Sequence, residues 1–220
     1  RQTVAVLPLT SQGTTEQTVN IPAYLFVSPR SDGRMELRFE LDSGDFCMSD
    51  HQTNVVINQS TRLTLPYEQV QPGTDLMAFP YPIYQDTIYP DFALVVVPDK
   101  PTSTEVQAAL SVAAGFGNLA YSNVDLDLTT ITQLTEEQKA TEHLIFVGQA
   151  ASLPLLEELS LPLPVTNGSF DLSGNSDDGI VQMANSPWNI SKVALVITGN
   201  TEAGVLKAAQ AISTGSLQSY

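Results

Sequence analysis

Apolar and polar residues alternate most clearly over residues 35–41, where Met35, Leu37, Phe39 and Leu41 are separated by Glu36, Arg38 and Glu40. A period of two is that of a strand with one buried face. Ser31, Asp32 and Gly33 just before it read as a turn. Shorter strand-like segments lie at residues 3–7, 18–21, 54–57 and 62–65. Short strands spaced about 8–12 residues apart predict a β-sandwich or jelly roll. They are too few to close one, so residues 1–78 are expected to form only its C-terminal part. The chain also opens at Arg1, without an initiator Met and directly in a strand-like stretch, so it is expected to be a piece of a longer polypeptide.

The pattern then changes twice. Over residues 79–91, Phe79, Tyr81, Tyr84 and Tyr89 are interleaved with Pro80, Pro82 and Pro90. Prolines at that density stop both helices and central strands, so this stretch predicts an ordered connection whose rings pack on the domains beside it. From residue 92 the rhythm is α/β. Phe92, Ala93, Leu94, Val95, Val96 and Val97 form a continuous apolar run, the pattern of a strand buried on both faces of a parallel sheet. Thr102 with Glu105 three residues on is a capping box, followed by a helical stripe at Val106, Ala109 or Leu110, Ala113 and Phe116 that Gly115 and Gly117 are expected to end. Buried strands are expected at residues 143–147 and 192–198, a short segment at 150–159, a helix at 201–213 and a half-buried edge strand at 179–183. Strand, turn and helix repeated in this way build a doubly wound sheet, here placed at residues 92–220.

Charge narrows the partners. With 24 acidic against 9 basic residues the net charge is -15, which repels phosphate backbones and anionic membrane surfaces. Nucleic acid is therefore a poor partner, and none is expected. No apolar run is long enough to span a bilayer, so any membrane attachment is expected through an anchor outside these residues. The single Cys47 has no internal disulfide partner.

Little in the chain has the spacing that catalysis needs. Gly115, Phe116 and Gly117 end a predicted helix, whereas a dinucleotide fingerprint must open one. The run from Gly199 to Gly204 does open a helix, but Glu202 puts negative charge in its first turn and it has no phosphate-binding Lys. Cys47 and His51 lie beside Asp45 and Asp50, an acidic setting that weakens a thiolate nucleophile, and two soft ligands are too few for a closed zinc site. His143 reads as a strand-boundary residue. The acidic loop 171–179 lacks the glycine and the bidentate glutamate of an EF-hand. No cofactor, metal or catalytic residue is expected. Tyr81, Tyr84 and Trp188 are the candidate rings for stacking on sugars, since aromatic faces hold neutral rings without charge.

Several stretches in order carry a likeness to one family: residues 35–41 (MELRFEL), 45–50 (DFCMSD), 60–67 (STRLTLPY), 75–82 (DLMAFPYP), 98–103 (PDKPTS), 106–114 (VQAALSVAA), 143–148 (HLIFVG), and 186–188 (SPW) leading into 193–199 (VALVITG). In these the chain resembles the B subunit of bacterial cellulose synthase. The resemblance implies a carbohydrate-binding-like jelly roll followed by a flavodoxin-like domain. It also implies a place outside the cytoplasmic membrane and a non-catalytic role beside a membrane glycosyltransferase and its glucan. The competing readings are a flavodoxin-like electron carrier, with FMN at the carboxyl ends of the strands, a polysaccharide hydrolase, and a structural spacer.

Overall fold

A computed structural model describes residues 3–7, 18–22, 37–40, 59–64, 71–85, 91–120 and 124–218. The chain divides into two compact units, Arg1–Leu65 and Pro66–Tyr220. In the first unit none of the described residues lies in a strand, and Val6, Leu37, Phe39 and Leu63 are exposed. At their described residues this corrects the strands expected at 3–7, 18–21, 35–41 and 62–65. Alternation supplies a face to bury, but a strand also needs hydrogen-bonded neighbours and a packed layer opposite. The segment expected at 54–57, and Asp45, Cys47, Asp50 and His51, lie outside the described residues.

The second unit is a mixed α/β layer structure. Its strands are β1 (Asp91–Val97), β2 (Val124–Thr130), β3 (His143–Gln149), the two-residue β4 (Val165–Thr166) and β5 (Ser169–Phe170), β6 (Gly179–Asn185) and β7 (Val193–Gly199). Three helices accompany them: α1 (Ser103–Leu119), α2 (Glu136–Thr141) and α3 (Glu202–Ser213). Five strands form one sheet in the order β2-β1-β3-β7-β6, parallel except for β6, which runs antiparallel along β7 at the edge. β4 and β5 form a separate hairpin whose turn, Asn167 and Gly168, has positive φ at both residues. Asn-Gly is the pair that adopts this geometry most readily.

Alternation along the central strands sorts side chains between two cores. Ala93, Val95, Val97, Ile145, Val147, Leu195 and Ile197 face α1 and α3, together with Phe116, Val205 and Ile212. Leu94, Val96, Leu144, Phe146, Ala194 and Val196 face the other way, where the cover is short 3-10 turns at Ala150–Ser152 and Pro154–Glu158 and the β4-β5 hairpin. Phe92 is the exception to the run expected to be fully buried, at 53% exposed, because it stands at the start of β1 before the cover begins.

The capping box opens α1 as expected: the Glu105 N–H donates to Thr102 Oγ1 at 3.2 Å and the Thr102 N–H to Glu105 Oε2 at 2.9 Å. The glycines do not end it. α1 continues to Leu119, and a side chain on Gly115 would meet Ile212 Cγ2 and the Ser213 Cα at 3.0 Å. Gly115 is therefore a site of close helix contact inside α1. Phe79 and Ile83 belong to the core on this same face, with the Phe79 ring edge-on to Phe116 at 5.0 Å.

Glycines also seat α3 on the antiparallel edge. A Cβ on Gly179 would lie 2.5 Å from the Ala208 N and from the Gly204 O, so the backbone of β6 touches the backbone of α3. Gly179→Ala should push the edge strand off the helix and cost roughly 1–3 kcal/mol, as overpacking does. Urea unfolding of the variant beside the parent checks it.

Candidate functional site

In an open parallel sheet the natural ligand crevice lies outside the carboxyl ends of the strands, where the chain order reverses. Here that point falls between β1 and β3, and side chains of the chain itself fill it. Glu105 is 2% exposed. Besides its cap on Thr102, its Oε1 accepts the Gln149 N–H at 2.9 Å, so one carboxylate joins the first turn of α1 to the end of β3. Pro98 closes in beside it: a Cβ on Gly148 would stand 2.9 Å from the Pro98 ring and 3.2 Å from Glu105 Oε1. At the neighbouring position Thr198 Oγ1 donates to the Gly148 carbonyl at 2.7 Å. The rim nearby is tied as well, since Asp99 Oδ1 accepts from both N–H and Oγ1–H of Thr132, at 2.9 and 2.8 Å. Those bonds hold its carboxyl below the ordinary range, the Thr132 backbone N–H being the largest cause.

The second strand-to-helix turn is filled in the same manner. Thr201 caps α3 by accepting the Gly204 N–H at 3.2 Å and donates its own hydrogen to Asp177 Oδ1 at 2.7 Å. Asn200 clamps the hairpin, accepting the Phe170 N–H and donating to the Phe170 carbonyl, both at 2.9 Å. Gly204 lies against the Asp178 carbonyl. The helix N-terminus is thus occupied by the chain itself, through the Asp177 carboxylate on Thr201 and the Asp178 carbonyl against Gly204. Within that loop Asn175 and Asp178 are spent on local turns, and no cluster of three or more metal-type ligands occurs among the described residues.

The three candidate rings do not share a surface. Tyr81 is 45% exposed, whereas Tyr84 is buried. Trp188 packs, partly buried, against the opposite core, and the Lys139 ammonium lies 5.5 Å from its ring centre. Lys139 is held there by Glu136 at 2.7 Å, and Asn189 Nδ2 donates to the Ala140 carbonyl, fixing the Trp188 loop to α2. Tyr84 is committed to packing, and Trp188 to packing and to Lys139.

His143 is buried at the start of β3, and its Nδ1 accepts the Val193 N–H at 3.1 Å. Burial is the main reason its pKa falls to about 4, with the Lys192 charge adding to it. It is therefore neutral near pH 7 and serves as a main-chain acceptor between two strands.

Residues that local pattern did not single out hold the far edge. Gln182 of β6 accepts the Leu163 N–H and donates to the Leu163 carbonyl, each at 3.0 Å. Beside it is a hollow of about 360 Å³ lined by residues including Gln71, Ser160, Asn185 and Ser186. None of these positions has a sequence signature, because the partners are 19 residues or more apart in the chain.

Residues 75–219 match the family model for the first FD domain of cellulose synthase BcsB. Over 130 residues the chain is also 31% identical to the uncharacterized protein YdaN of Bacillus subtilis (strain 168), a match that takes in 57% of this chain and 18% of that protein. Among the described residues no helix is long and apolar enough to cross a membrane.

Two outcomes follow from the buried groups. Glu105→Ala leaves two main-chain N–H groups without their acceptor and should lower stability by about 2–4 kcal/mol in urea unfolding. For His143 the unfolded chain takes up its proton near pH 6.5 and the folded chain only near pH 4. Its contribution is thus complete above pH 6.5 and is lost as pH falls toward 4, amounting to about 3 kcal/mol. An NMR titration should place the imidazole midpoint near 4, and His143→Gln should flatten that part of the stability profile.

Proposed function

The chain belongs to the cellulose synthase BcsB family, and on that premise we propose that it is a non-catalytic accessory module of a membrane cellulose synthase complex. In this reading it stands outside the cytoplasmic membrane, beside the membrane glycosyltransferase, and supports or guides the emerging glucan. The observation that carries the proposal is the closed crevice at the β1-β3 switch point, in a domain whose family is that of a synthase subunit. A sheet of this kind binds its ligand there when it is an enzyme or an electron carrier, and here Pro98 and Glu105 take up the space.

The strand order β2-β1-β3-β7 begins as a flavodoxin-like sheet does and departs from it at the antiparallel β6. We read the second unit as flavodoxin-like in architecture without the flavin use. Pro98 and Pro101 offer no amide hydrogens to a phosphate, and the first turn of α1 already carries the Glu105 carboxylate. The jelly-roll reading of residues 1–78 and the connection at 79–91 remain part of the proposal, resting on the resemblance to the family. A glucan is neutral, so the net charge of -15 neither attracts nor repels it, while it does keep nucleic acid away. Of the three rings, Tyr81 has the exposure to meet a sugar.

Detergent extraction of the native membrane, with an affinity tag on the complete subunit that contains this chain, tests the assignment. The membrane glycosyltransferase should co-purify, and deleting the subunit should reduce polymer output. Recovery of the subunit alone, with unchanged output on deletion, would remove the reading.

A further inference from the structure

The edge of the sheet holds polar groups that the fold itself does not use. β6 runs antiparallel to β7 with Asn185 opposite Val193, and the next pair beyond is joined by the Ser186 N–H to the Lys192 carbonyl at 2.9 Å. Hydrogen-bonded pairs alternate in such a ladder. Ile180, Gln182 and Ala184 therefore bond to β7, and the main-chain N–H and C=O of Val181, Met183 and Asn185 point away from it. No hydrogen bond from the described residues reaches those groups, and the side-chain Oδ1 of Asn185 is buried with no partner. Buried acceptors are nearly always paired, so an orphan of this kind calls for a donor.

The space beside them has a definite chemistry. The hollow of about 360 Å³ is lined by Gln71, Thr74, Ser160, Asn185 and Ser186 with Pro162 and Pro187, and carries no charged side chain. A wider one of about 560 Å³ shares Thr74, Pro162 and Met183 with it and adds the apolar Leu76, Leu163 and Ile180 and one carboxylate, Asp75, which accepts the Met77 N–H. Both sizes are those of small-ligand sites, roughly 300–1,000 Å³. Uncharged amides and hydroxyls set among apolar carbons match a molecule with hydroxyls on its rim and C–H groups on its faces. Anionic ligands gain nothing here, in a chain of net charge -15. An added peptide strand is the other ligand of a sheet edge. However, Met183 at the middle of this edge is almost fully buried, where Thr74 and Pro162 approach, so a strand cannot lie along it without displacing them.

We propose that the hollow beside Asn185 is a binding site for a short stretch of neutral β-linked glucan, with sugar hydroxyls meeting the amides and hydroxyls that line it. The site rests on the glucan-associated reading above and deepens it, giving the polymer a docking point separate from the aromatic rings.

The test is an NMR titration of the ¹⁵N-labelled chain with cellotetraose. Shifts should gather at the Asn185 side-chain amide and at the backbone of Met183 and Ser186. Asn185→Leu should weaken binding about five- to tenfold, with its thermal midpoint recorded alongside. Ser160→Val, an exposed position on the rim, provides the same comparison if Asn185→Leu fails to fold. Binding with shifts centred on Tyr81 and unaffected by either substitution would overturn the site and leave the glucan reading intact. Absence of any shift at millimolar sugar would also overturn the site, while co-purification with the glycosyltransferase judges the accessory reading separately. Equal binding of tetragalacturonate would overturn the assignment to a neutral glycan. Protection of the Val181 and Met183 amides by an extended peptide, and not by the sugar, would give the edge to strand addition.

Discussion

A parallel sheet delivers its strands to one rim, where each chain must turn and its main-chain N–H groups must find acceptors. In this protein a single buried carboxylate meets that demand at the most important point. Glu105 binds the Thr102 N–H and the Gln149 N–H together, so the start of α1 cannot shift without freeing the end of β3. Pro98 packs on Gly148 at the same place, and the parallel pairing of β1 with β3 holds both in register. The position at which related architectures hold a cofactor is here consumed by closure of the fold.

That closure explains why the rest of the molecule is uneven. The face under α1 and α3 is sealed by glycines that bring backbone onto backbone, at Gly115, Gly179, Gly199 and Gly204. The opposite face has only short 3-10 turns and a hairpin to cover it, and these lack the continuous hydrogen bonding of a long helix. Side-chain amides take up the difference: Asn200 holds the hairpin through Phe170, and Gln182 holds Leu163. Such two-point clamps satisfy both main-chain groups of a loop residue at once. Where the loops stop short of the β6 edge, uncharged polar groups are left around a hollow.

Elements with local signals were legible and those without them were not. The Thr102-Glu105 capping box, the apolar runs of β1, β3 and β7, and the start of α3 after Thr201 all stand where their residues predict. β2 escapes because aspartates at 125 and 127 interrupt its apolar residues on a sheet edge, and α2 because six residues are too short for an apolar stripe. Signals for two missed elements did exist, in the Thr135-Gln138 capping box and in the Asn167-Gly168 turn. Gly115 misleads for a physical reason: a glycine that ends a helix and one that admits a neighbouring helix look alike until the neighbour is known. The rings mislead likewise, since burial of Tyr84 and the approach of Lys139 to Trp188 depend on residues remote in the chain.

The amino-acid order alone determined the α/β character of the second unit, the buried central strands, the acidity that turns away polyanions and the family likeness. Each of these depends on periodicity, composition or short motifs, which need no knowledge of what lies across space. The tertiary structure alone decided that Glu105 reaches Gln149 across 44 residues, that the switch point is filled, that β6 runs antiparallel, and that an unpaired acceptor at Asn185 borders a polar hollow. Those are consequences of which segments meet, and the free energy of a meeting belongs to both partners and cannot be read from either one.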